Sequence, residues 1–178
     1  MIFKKPKRKV NKVFLHCSAN SNSKWGILDL KKSHLSRGFD DVGYHYFIDF
    51  TGKTWEGRSL ETTPAAQQGH NTGTIAICLH GGQNSINDFT QEQYESLFNL
   101  CSDINKAYEK KITFHGHKEV DKGRDCPVFN YKKVLNLDNK GFIKKEKETD
   151  FEPIDFNEPT FIDFIMSILE AIFKKFTK

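Results

Sequence analysis

The run TIAICLHGG at residues 74–82 is apolar at every position from Ile75 until His80. A strand with one wet face alternates polar and apolar residues. An unbroken apolar strand needs cover on both sides, which points to a central strand of a sheet layered between helices. The rest of the chain offers the other layers. KVFLHCS (12–18) is a second buried strand that turns polar at its end, and KITFHGH (111–117) is a third. ILDLKKSHLSRG predicts a short helix with Ile27, Leu28, Leu30 and Leu35 as its apolar side and Gly38 as its stop. YHYFIDFTGKTWEGR predicts a hairpin about Thr51-Gly52, where glycine supplies the positive φ of a tight turn. In TQEQYESLFNLCSDINKAYEK, Thr90 and Gln93 form a capping box, and Tyr94, Leu97, Phe98, Cys101, Ile104 and Tyr108 share one face. FNYKKVLNL closes the pattern as a short helix. Strands and helices alternate, so the expected class is α/β, a sheet flanked by helices.

This domain is expected to span residues 11–138. Lys4, Lys5, Lys7, Arg8, Lys9 and Lys12 crowd the start, so residues 1–10 read as a basic arm, solvated or drawn to an anionic polymer. Without those six, 21 basic residues face 23 acidic ones. A near-neutral body gives little support to a broad nucleic-acid footprint, and no specific nucleic-acid partner is expected. Residues 139–159 read as a charged linker without periodicity. Residues 160–178 read as an amphipathic helix, with Asp163, Ser167, Glu170 and Lys174 as a narrow polar stripe. Its apolar face suits docking on the domain, self-association, a membrane surface or a partner. The first residues carry charge but no apolar signal region. The chain is therefore expected to be made in the cytoplasm without a signal peptide.

Of the four cysteines, Cys78 and Cys101 lie in apolar patterns and read as small buried hydrophobes. Cys126 lies in the polar loop HGHKEVDKGRDCP, where a thiol has no packing role. A cysteine near histidines suggests a nucleophile or a metal ligand. A nucleophile gains from a helix N-terminus at the thiol, but Pro127 follows at once and offers no N–H. The ligand reading is favoured. Tetrahedral zinc with one open position needs three protein donors, and His16, at the carboxyl end of a buried strand, is the best further candidate.

Taken together, FLHCSA, DVGYHYFI, GHNTGTIAICLHGG and GHKEV followed by a cysteine-proline resemble the zinc N-acetylmuramoyl-L-alanine amidases. The phage endolysins of amidase type are most similar, and the peptidoglycan recognition proteins share the domain. The resemblance covers residues 11–137. It implies a central mixed β-sheet with flanking helices and a groove for a peptidoglycan stem. It implies one Zn²⁺ held by His16, His117 and Cys126, with water in the fourth position. Tyr44 matches a tyrosine facing that water, and Arg124 falls where many relatives carry a catalytic lysine, with Lys122 as the alternative. His45, His70 and Asn71 are expected at the substrate, and Glu119 beside a ligand histidine, whereas His34 and His80 are expected to be structural. The implied reaction is hydrolysis of the amide between muramic acid and L-alanine, on a cell wall that the enzyme reaches after release. Two other classes compete, a non-catalytic peptidoglycan-binding domain and a regulatory interaction protein. The complete ligand set argues against the first.

Overall fold

The computed structural model describes residues 3–144. The amphipathic segment expected at 160–178, and all of the expected linker beyond residue 144, lie outside the described residues. Five strands form one sheet in the order β3-β2-β4-β1-β5: β1 Lys12–Cys17, β2 Tyr46–Ile48, β3 Thr54–Glu56, β4 Thr74–Leu79 and β5 Thr113–Gly116. β2, β4, β1 and β5 run parallel, and only β3 is antiparallel, as the second arm of the hairpin. The sheet is therefore mixed. β4 lies at its centre and is buried along its whole length.

Burial on both sides follows the two-residue period of a strand. Val13, Leu15, Ile75 and Ile77 point into a large apolar cluster that also takes Leu97, Cys101 and Ile104 of helix α2 (Gln91–Ala107). Phe47 and Cys78 point the other way, into a smaller cluster with Leu30 of helix α1 (Ile27–Ser36). His16 belongs to the alternate set of β1 and so emerges on the α1 side, at the carboxyl end of the sheet. Thr90 and Gln93 cap α2 reciprocally, and the Gln93 amide also donates to the carbonyls of Ile48 and His80. The third helix-forming stretch, FNYKKVLNL, yields α3, Tyr131–Val134.

Three expectations are corrected. Leu28 and Leu35 of α1 face solvent, at 71% and 45% exposure. The buried stripe is instead Leu30 and His34, four residues apart on one side of the helix. Residues 3–10 are not a free arm. Phe3 packs on the Tyr108 ring, Val10 is buried, and the Arg8 guanidinium donates to the carbonyls of Leu60 and Thr74. An arginine with several fixed acceptors is held by geometry that a string of lysines would not use. The chain also stays on the body past residue 138, since the Phe114 N–H donates to the Gly141 carbonyl and Leu137 bridges Ile143.

Candidate metal centre

His16 ends β1, His117 follows directly on β5, and Cys126 enters from the loop ahead of α3. β1 and β5 are parallel neighbours, so their carboxyl ends deliver the two imidazoles to one place; ring centroids lie 4.7 Å apart. The loop returns because the Lys118 N–H donates to the Cys126 carbonyl at 2.8 Å. Gly116 permits a close approach at this point. A Cβ there would come within 2.6 Å of the Tyr131 ring and 3.0 Å of Pro127. Tyr131 of α3 and Pro127, the residue that follows Cys126, thus both press on the backbone that leads into His117.

One ligand atom each from His16, His117 and Cys126 falls within 4.8 Å of the others. The orientation of His16 can be derived bond by bond. The Thr74 hydroxyl donates to the Asn71 carbonyl at 2.7 Å and therefore accepts from the Gln67 amide nitrogen at 2.8 Å. That fixes the Gln67 carbonyl oxygen against His16 Nε2 at 3.1 Å, so Nε2 carries the proton. His16 Nδ1 is left with a free lone pair, 3.8 Å from Cys126 Sγ. Burial, with His117 adding to it, pushes His16 down to about 3, so the ring is neutral at ordinary pH. Burial also lowers His117. The Cys17 backbone N–H donates to Cys126 Sγ at 3.2 Å, while the neighbouring Cys17 side chain and burial together push the Cys126 thiol up, so without a metal it keeps its proton. Two neutral imidazoles and a thiol with a backbone donor form a donor set that suits zinc, with one position left for substrate or water.

His117 and Cys126 line a groove of about 660 Å³, and His16 lies buried behind them. Tyr44 lines it, its ring 5.1 Å from that of His16. Burial holds its phenol well above the ordinary value, so it keeps its proton at ordinary pH. Arg124 lines the groove as well, with its Nε 2.9 Å from Asp121; Lys122 is not on this wall.

The residues expected at the substrate divide. Asn71 reaches the groove wall, but its Oδ1 accepts the N–H groups of Ala66 and Gln67 and so fastens the loop that carries Gln67. His70 is exposed and sits over a separate small hollow near Phe14. His45 is buried elsewhere, with Nδ1 accepting from Ala76 N–H and Nε2 donating to the Thr62 carbonyl, so it has no atom left for a substrate. Glu119 braces His115 at 2.7 Å and accepts from the Tyr131 hydroxyl, rather than touching either ligand histidine. His34, expected to be structural, lines the groove; its Nδ1 accepts from Gly43 N–H at 2.8 Å, which leaves the Nε2 proton for a ligand. The sequence reading missed His34 and Gln67. His34 could have been found as the polar residue on the buried stripe of α1. Gln67 had no signal beyond a polar side chain in a polar loop.

The family model described as N-acetylmuramoyl-L-alanine amidase matches residues 6–129. Among curated relatives, the endolysin of Enterobacteria phage T3 is 31% identical over 72% of this chain and 87% of its own, and the endolysin of Escherichia phage T7 is 30% identical over the same shares. Among solved structures, the N-acetylmuramoyl-L-alanine amidase LysC from Clostridium intestinale URNW superposes with a TM-score of 0.65 at 24% identity, covering 72% of this chain and 85% of that one. Drosophila PGRP-LB reaches 0.60 at 22%, covering 70% and 78%. The fold is thus shared between amidases and recognition proteins, and the sequence match over residues 6–129 assigns this chain to the N-acetylmuramoyl-L-alanine amidase family.

Proposed function

We propose that the chain is a zinc-dependent peptidoglycan amidase of the endolysin type, hydrolysing the amide between the lactyl group of muramic acid and L-alanine. The observation that carries this reading is the convergence of His16, His117 and Cys126, of which the last two line an open groove. These three would hold Zn²⁺, which when bound supplies Lewis acidity to a water and to the scissile carbonyl. His16 is oriented for this by Gln67, and the Cys126 thiolate by the Cys17 N–H. Tyr44 donates its phenolic proton to the oxygen that gains charge as the carbonyl becomes tetrahedral. Arg124 faces the same groove and adds a fixed positive charge. It acts as an electrostatic group, because a guanidinium does not release its proton near neutrality. His34 Nε2–H and the Asn71 wall position the substrate chain. The partner is peptidoglycan. Among the described residues no helix is long and apolar enough to cross a membrane.

The test is release of new amines from purified peptidoglycan, run with a chelator, with zinc restored, and with Cys126→Ala. Zinc-dependent release of peptides beginning in L-alanine, lost in the variant, supports the reading. A folded, zinc-loaded protein that releases none from several wall types would refute catalysis and leave wall binding as the function.

A further inference from the structure

A second groove, of about 810 Å³, lies between α2 and α3 and has no part in the chemistry above. Its rim continues that of the first. Asn84, Ser85 and Val128 line the metal groove, and Asn87 and Asn130, two or three residues further along the same two segments, line the second. The two grooves therefore share one ridge.

Its lining is of a particular kind. Tyr94 and Phe98 of α2 show half-exposed ring faces. Tyr94 is held rigid by Phe129, at 5.5 Å between ring centroids. Around these rings stand amides whose orientation is set. Asn87 Oδ1 accepts from the Tyr94 hydroxyl at 2.9 Å, which turns its NH₂ outward as a donor. Asn130 Oδ1 accepts from Lys133 N–H in capping α3, which frees its NH₂ likewise. Gln91 Nε2 donates to Glu95 at 3.1 Å, which leaves its carbonyl oxygen as an acceptor. The charged side chains at the groove, Glu95 and Lys133, are one of each sign. A few preset polar groups around apolar faces give a binding site its specificity.

We propose that this groove binds the glycan strand of the polymer, a chain of β-linked N-acetylated amino sugars. The apolar C–H face of a pyranose ring fits an aromatic face. Hydroxyl and acetamido groups need neutral donors and acceptors, which the three amides supply. A stem peptide, which carries carboxylates, would call for net positive charge, and the groove has none. The shared ridge lets one polymer place a muramoyl amide over the metal groove while its neighbouring sugars lie between α2 and α3. The proposal rests on the amidase reading for the identity of the polymer, but sugar binding here needs neither metal nor catalysis.

The test separates the two. The full-length protein is titrated with the N-acetylglucosamine tetramer, following backbone amide resonances, alongside Asn87→Ala/Gln91→Ala, whose side chains are exposed. Shifts at Gln91, Phe98 and Asn130, with Kd raised about tenfold in the double variant, are expected. The same variant should raise KM on polymeric peptidoglycan yet hydrolyse a soluble muramoyl peptide at the parent rate. No shifts, shifts confined to the metal groove, an unchanged KM on the polymer, or groove resonances that respond only to protein concentration, as for self-association, would each overturn the proposal. Failure of the soluble substrate in the parent protein would strike the amidase reading instead and leave the titration standing.

Discussion

Gln67 takes the Nε2 proton of His16 at 3.1 Å and thereby decides which imidazole nitrogen faces Cys126. Gln67 is fully buried, and its own amide is spent on Thr74, so the arrangement has no alternative setting. Gln67→Leu keeps the volume and removes the acceptor. It should weaken zinc binding about 10- to 100-fold, the usual cost of losing a group that orients a ligand. Competition with a chromogenic chelator reads this directly, and an unchanged affinity would remove Gln67 from the ligand's support.

Tyr44 is placed to donate to charge that develops in the reaction. Tyr44→Phe should lower kcat about a hundredfold, the scale for one such donor, with zinc affinity unchanged. Steady-state kinetics beside a metal titration make the check, and a loss confined to KM would reassign Tyr44 to binding.

Arg124 is exposed and paired with Asp121, so its field is partly screened. Arg124→Lys should keep most of the activity, and Arg124→Ala should lose about tenfold. Equal loss in both variants would mean that the planar guanidinium, not the charge, is what the groove requires.

His45 should make the fold acid-sensitive. Burial lowers its value to about 4, against an ordinary value near 6.5. Its Nδ1 accepts the Ala76 N–H, a bond that protonation destroys. Between those two values the unfolded chain binds the proton and the folded chain does not, so stability is fully present above pH ~6.5 and falls until pH ~4. The full span corresponds to about 3 kcal/mol. Urea midpoints measured from pH 7 to pH 4 in the parent and in His45→Gln test this, since the variant should show a shallower decline over that range.

Gly116→Ala should disturb the centre through packing alone. The added carbon would meet the Tyr131 ring at 2.6 Å, and relief must come from Tyr131 or from the backbone that leads to His117. A loss of about 1–3 kcal/mol is expected, together with weaker zinc binding. A drop in the thermal midpoint with intact metal affinity would show that Tyr131 yields and His117 does not.

Much of this was legible in the residues. The apolar run 74–79 demanded a sheet covered on both faces. The capping box at Thr90 and Gln93 set the start of α2, and His16 and Cys126 stood out because their polarity broke an apolar pattern or lacked a packing reason, whereas His117 was named only through the family resemblance. Such features are local, and hydrophobic period and capping chemistry act over a few residues. What the sequence left open depended on contacts across long separations. Which nitrogen of His16 is free depends on Gln67, 51 residues away. Whether Arg8 belongs to a loose arm or a docked strap depends on carbonyls at Leu60 and Thr74. Whether His45 or His34 reaches the groove depends on which side of its element is packed. Proximity of that kind exists only once the chain has closed on itself, because no local preference encodes the partner of a side chain dozens of residues distant.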